Sequence, residues 1–168
     1  MNIALMGFRG TGKTTICKLL ARKMGKKLVL TDEEILKSAS MPIEKYVKKH
    51  GWEKLHEIET EVIEKLSDFD DCIFDISGGI IMRNENITNL KKNSLVILLT
   101  ANAKVIAERL RKTQKSGDRY EYIDEIKGFL QERELKYEKA ADYIIDTSSM
   151  PPEEASDLII HYSQTELK

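Results

Sequence analysis

The sequence predicts a three-layer α/β domain, a five-stranded parallel sheet flanked by helices. Three observations predict it. Strand-length apolar runs alternate with helix-period segments along the whole chain. Residues 94–99 (SLVILL) are apolar after the serine, as in a strand buried on both faces. Gly7-Phe8-Arg9-Gly10-Thr11-Gly12-Lys13-Thr14 fits G-x-x-x-x-G-K-[ST], a phosphate-binding loop pattern that requires a strand before it and a helix after it. Ile3-Ala4-Leu5-Met6 supplies the strand, and Ile16, Leu19, Leu20 and Met24 recur at helical spacing behind the loop.

The remaining elements follow in order. Residues 27–31 (KLVLT) read as the second strand, and Asp32-Glu33-Glu34 can open a short helix, where acids suit the helix dipole. Ser40-Met41-Pro42 starts another helix, with proline near its first turn, and Gly51 breaks it. Residues 52–66 are helical, with Leu55, Ile58, Val62 and Leu66 on one face. Residues 72–76 (CIFDI) form the third strand and run into Ser77-Gly78-Gly79; residues 94–99 form the fourth. A helix over 103–112 precedes a polar loop, KTQKSGDR, and a long helix runs from 120 to about 140. Residues 142–146 (DYIID) are the fifth strand, and Pro151-Pro152-Glu153-Glu154 opens a last helix carrying Ala155, Leu158, Ile159 and Tyr162.

A chain of 168 residues suggests one domain with a real core. The net charge of −1 removes the electrostatic case for nucleic acid or an anionic membrane. No apolar run approaches a membrane span, and the first residues lack the basic-then-apolar pattern of a signal peptide. Cys17 and Cys72 have no metal-ligand spacing and read as reduced core thiols of a cytoplasmic protein. His50, His56 and His161 form no zinc pattern. A monomer is expected.

The loop carries the clearest chemistry. Its backbone N–H groups can turn inward on a phosphate at the positive end of the following helix. Gly7, Gly10, Thr11, Gly12, Lys13, Thr14 and Thr15 are the candidate nucleotide-binding residues. Lys13 would neutralise the β- and γ-phosphates, and the Thr14 hydroxyl would hold Mg²⁺. In parallel sheets ligands bind outside the carboxyl ends of the strands. Four stretches fall there: the loop, Asp32, Ser77-Gly78-Gly79 and the residues after Leu99.

Several polar residues break the apolar pattern. Glu59 lies inside the apolar stripe of its helix, and His56, three residues back, is a possible partner for a buried carboxylate. Arg133 shares a face with Ile126, Phe129 and Tyr137, and Arg109 with Val105 and Ile106. Each arginine is either a snorkelling side chain or an anion contact. Asp75 is an acid inside an apolar strand, either at an exposed edge or where loops of this kind place the acid that holds Mg²⁺.

With these residues placed, the chain resembles the shikimate kinases over nearly its whole length. The resemblance implies a small P-loop kinase fold that transfers the γ-phosphate of ATP to a hydroxyl of shikimate. The family's D-x-D acid that binds the substrate hydroxyl falls on Asp32. Its helix signature G-x-x-x-F-R-x-x-E falls on Gly51, Leu55, His56 and Glu59. Its G-G-G, facing substrate and γ-phosphate, falls on Ser77, Gly78 and Gly79. Its late R-x-x-x-Y falls on Arg133 and Tyr137, the arginine contacting the substrate carboxylate. Arg109 falls where a family arginine lies near the adenine. The departures are Leu30 for the first acid, His56 for the carboxylate-binding arginine, Ser77 for the first glycine, and the absence of the lid motif R-P-L-L.

The expected organisation is one domain over 1–168, with a substrate-binding helical insert at about 32–66 and a lid at about 112–120 carrying Arg119. The expected function is an ATP-dependent kinase acting on shikimate or a related small polyol or hydroxy acid, with ATP as co-substrate and Mg²⁺ as cofactor. Lys13 and Asp32 are the candidate catalytic residues. Asp32, His56, Glu59, Gly78, Gly79 and Arg133 are the candidate substrate contacts, and Thr14 and Asp75 the metal ligands. The alternative is a nucleotide-binding regulator, either a GTPase-like switch or a non-catalytic ATP-binding module. Asp75-Ile76-Ser77-Gly78 fits D-x-x-G, but the chain has no N-K-x-D for guanine.

Overall fold

The computed structural model describes residues 1–113 and 123–166. Its strands are β1 (Asn2–Gly7), β2 (Lys27–Leu30), β3 (Cys72–Asp75), β4 (Ser94–Thr100) and β5 (Tyr143–Asp146). Its helices are α1 (Lys13–Met24), α2 (Thr31–Ala39), α3 (Ile43–His50), α4 (Trp52–Ser67), α5 (Asn84–Lys91), α6 (Ala103–Thr113), α7 (Ile123–Ala140) and α8 (Pro152–Thr165), with a 3₁₀ turn at Ile80–Met82. All strand pairs are parallel, in the order β2-β3-β1-β4-β5. Among the described residues no helix is long and apolar enough to cross a membrane.

Alternation along β1 divides the core. Ile3 and Leu5 face α1 and α8, packing with Ile16, Cys17, Leu20, Ala155 and Ile159. Ala4 and Met6 face the other way, into a cluster with Val62 and Ile63 of α4, Leu90 of α5 and Tyr137 of α7. A third cluster joins Phe8 to Ile106 of α6 and Ile126 of α7, packing those helices beside the loop that follows β1. Cys17 and Cys72 are free and buried.

The structure corrects several boundaries. Thr31 is the first residue of α2 rather than the last of β2, so the strand turns into the helix without a loop. β3 ends at Asp75, and β5 begins at Tyr143. The 3₁₀ turn and α5 fill a stretch for which the sequence suggested no element. α5 is rich in asparagine, a weak helix former, and tertiary contact holds it. Its fully buried Asn86 donates through Nδ2 to Ile80 O at 3.0 Å.

Candidate active site

The carboxyl ends of β1, β2 and β3 open on a cleft of about 930 Å³. Residues 7–16 form one wall, Asp32, Asp75 and Ser77-Gly78-Gly79 another, and Arg109, Phe129, Arg133 and Tyr137 a third.

The glycine-rich loop is shaped by close approach. A Cβ on Gly7 would lie 2.3 Å from Leu99 O of the neighbouring strand, so only glycine lets β1 and β4 pair to their ends. Gly12 has φ 96°, a left-handed conformation immediately before the first residue of α1. Thr11 Oγ1 donates to Phe8 O at 2.7 Å and closes the turn. Lys13 Nζ donates to Gly7 O at 2.8 Å, bringing the ammonium back over the loop. Burial lowers the Lys13 pKa, and the carboxylates of Asp75 and Asp32 pull against that shift.

Arg109 fastens this loop to the far edge of the sheet. Nη1 donates to Gly10 O at 3.0 Å and to Thr147 Oγ1 at 3.1 Å, and Nη2 donates to Thr147 O at 2.6 Å. Thr147 in turn donates to Thr11 O at 2.8 Å. The Arg109 head lines the cleft while bonded to backbone. Thr147 was not legible as a site residue, since a buried threonine after an edge strand carries no pattern.

β3 lies beside β1, and Leu5 pairs with Asp75. That register puts the Asp75 carboxylate against α1, where Thr14 Oγ1 donates to it at 2.5 Å. Burial is the main cause that raises the Asp75 pKa; the Thr14 hydrogen bond and Lys13 lower it, and Asp32 adds to the rise. A hydroxyl and a carboxylate at the mouth of a phosphate loop form an oxygen donor pair that fits Mg²⁺, which takes most of its other ligands from phosphate and water. Among the described residues there is no group of three or more His, Cys, Asp or Glu side chains that could hold a metal ion.

The acceptor side is built around Gly78 and Gly79. Arg133 Nη1 donates to Gly78 O at 2.9 Å, and its guanidinium lies over the Phe129 ring, 4.1 Å from the centroid. Both contacts fix the arginine head at the cleft. His56 and Glu59 lie one layer behind. His56 Nδ1 is 2.7 Å from Glu59 Oε2, and Glu59 is 4% exposed, so the sequence pairing of the two is present. Neither is among the residues lining the cleft; Glu59 instead backs directly onto Gly79. Burial raises the Glu59 pKa, with His56 and Arg133 lowering it and Asp32 raising it. Arg119 and most of the expected lid lie outside the described residues; Lys112 and Thr113, at the end of α6, line the cleft.

The Gly79–Glu59 contact makes a sharp prediction. A Cβ at position 79 would sit 2.1 Å from Glu59 Oε1. The buried carboxylate has little room to retreat, so Gly79→Ala should cost about 1–3 kcal/mol, as overpacking does. Calorimetry should show a melting temperature lower by several degrees, and Gly79→Ala combined with Glu59→Ala should recover part of it. An unchanged melting temperature for the single variant would show that the loop moves freely.

The shikimate kinase family model matches residues 9–164. The chain belongs to the shikimate kinase family. A shikimate kinase of Thermodesulfovibrio yellowstonii is 40% identical over 161 residues, covering 95% of this chain and 92% of that one. A shikimate kinase of Caldicellulosiruptor bescii is 37% identical over 164 residues, covering 95% and 93%. In fold the chain is similar to a solved shikimate kinase of Acinetobacter baumannii in complex with shikimate, with a TM-score of 0.86, 24% identity, and 98% and 93% of the two chains covered. Family membership makes this protein an ATP-dependent phosphotransferase acting on a hydroxyl acceptor.

Proposed function

We propose that the acceptor is shikimate, phosphorylated with Mg²⁺ held by Thr14 and Asp75. The observation that carries the reading is the layout of the cleft. Lys13, Thr14, Asp75, Asp32, Gly78, Gly79 and Arg133 line one cleft, with Thr14 bonded to Asp75 and Arg133 bonded to Gly78. Relatives named shikimate kinase match over 95% of the chain, and the similar Acinetobacter enzyme binds shikimate.

The roles follow from the chemistry. The P-loop N–H groups and Lys13 bind the phosphates and stabilise charge that spreads over the transferring group. Asp32, in the first turn of α2, orients the acceptor hydroxyl and takes its proton. Arg133, fixed by Gly78 and Phe129, presents a bidentate donor to the acceptor carboxylate. Bound Mg²⁺ would neutralise phosphate charge. Arg109 holds the loop in shape beside the nucleotide. His56 and Glu59 support the acceptor wall from behind Gly79. Reliance on ATP, with two buried free thiols, favours the cytoplasm.

The test is ADP release with shikimate as acceptor, set against a panel of polyols and hydroxy acids. Shikimate should give the highest kcat/KM. A neutral polyol outperforming it would overturn the acceptor assignment while leaving the kinase assignment standing. A second measurement addresses position 56. An arginine there could offer the acceptor carboxylate a second charged fork, which a histidine cannot. His56→Arg should therefore lower the shikimate KM by roughly tenfold, the scale of one charge-assisted hydrogen bond. A rise in KM would mean that the His56–Glu59 pair itself shapes the acceptor wall.

A further inference from the structure

The abrupt change from β2 to α2 leaves a gap in the sheet that one side chain fills. The β2–β3 ladder ends at the pair Leu30↔Asp75. One step further, Thr31 would stand opposite Ile76. In a parallel ladder that residue would donate its N–H to the carbonyl before its partner and accept from the N–H after it. Thr31 is already helical, so its backbone is committed to α2. Its hydroxyl makes both bonds instead: Oγ1 donates to Asp75 O at 2.9 Å and accepts from Ser77 N at 2.8 Å. The side chain is fully buried. On the opposite side of β3, Ile76 N donates to Leu5 O at 2.9 Å, so residues 75–77 are held from both neighbours.

We propose that Thr31 is a positioning residue whose hydroxyl serves as the last rung of the sheet and sets Asp32 against the Ser77-Gly78-Gly79 turn. It rests on the reading of Asp32 as the residue that orients the acceptor. The rung frees the backbone to start α2 at once, which puts Asp32 in its first turn and on the cleft. It also ties Ser77 to the end of β3, beside the turn in which Gly78 O meets Arg133 and Gly79 meets Glu59. One hydroxyl thereby links the acid and the turn, which line the same cleft.

Thr31→Val keeps the shape and removes the hydroxyl, and Thr31→Ser keeps the hydroxyl and removes the methyl. Thr31→Val should lower kcat/KM for shikimate about ten- to a hundredfold, the cost of two unsatisfied backbone groups, with ADP affinity changed less than about twofold. Amide exchange at Ser77, which needs no acceptor, should accelerate at least about tenfold as its partner is lost. Thr31→Ser should restore all three readings to within about threefold of the parent chain. If Thr31→Val does not fold, Thr31→Ala against Thr31→Ser carries the same comparison. Thr31→Ser as impaired as the apolar variant would overturn the proposal, because methyl packing would then be the cause. So would an equal loss of ADP affinity, or unchanged exchange at Ser77. A parent chain that turns over no shikimate would overturn the acceptor reading alone, and the Ser77 exchange of the variant pair would still decide the rung.

Discussion

Lys13→Ala is expected to abolish phosphoryl transfer while leaving a folded protein. The expected loss in kcat is at least about 10²–10³-fold, the scale for removing one preorganised donor from a transition state. Stability should hold for a separate reason. Burial lowers the Lys13 pKa, so the folded environment disfavours the charged side chain. What is removed is a partly buried bond to Gly7 O, and alanine is the strongest helix former at the start of α1. The melting temperature should therefore be unchanged or higher, and ADP should still bind through the loop N–H groups. Turnover near the parent rate would sink the assignment of Lys13.

Asp75→Asn is expected to have the second largest effect, and to act on the metal rather than the acceptor. Asparagine keeps the shape and still accepts from Thr14 Oγ1, but it cannot offer a charged oxygen to Mg²⁺. The Mg²⁺ concentration for half-maximal rate should rise about tenfold or more, as for loss of one charged contact, while the acceptor KM changes little. The raised pKa gives a second signature. A carboxyl whose folded pKa lies above its unfolded one favours folding in its protonated form. That contribution is full below the ordinary aspartate pKa and is lost as pH rises through the raised value. The asparagine variant avoids the loss, so at neutral pH it should be as stable as the parent or more so while being less active. An effect confined to the acceptor KM would mean that Asp75 serves the acceptor side.

Much of this was legible in the chain itself, and for identifiable reasons. The P-loop depends on glycines at fixed spacing and on a lysine and a threonine next to one another, all local requirements that must be written in sequence. The buried strands are equally legible, since a strand covered on both faces must be apolar throughout, as Ser94–Thr100 nearly is. The pairing of His56 with Glu59 followed from one turn of helix. Asp75 stood out because it interrupts an apolar run.

Contacts between elements were not written in any local pattern. α5 has weak propensity of its own and forms because Asn86 and Leu90 are buried against the rest of the fold. Arg109 could be assigned to a face of its helix, but not to Gly10 and Thr147, which lie 99 and 38 residues away in sequence. Thr31 is the clearest case. In sequence it is a threonine at the end of an apolar run, indistinguishable from one more strand residue. Its task is set by Asp75 and Ser77, more than forty residues later, whose backbone groups need a donor and an acceptor where β2 has already turned into a helix. The sequence alone determined the phosphate loop, the alternation of strands and helices, and so the fold class. Only the tertiary structure decided which hydroxyl completes the sheet beneath Asp32. Buried backbone groups must be satisfied by whatever the packed chain brings within reach, and that is a property of the assembled fold.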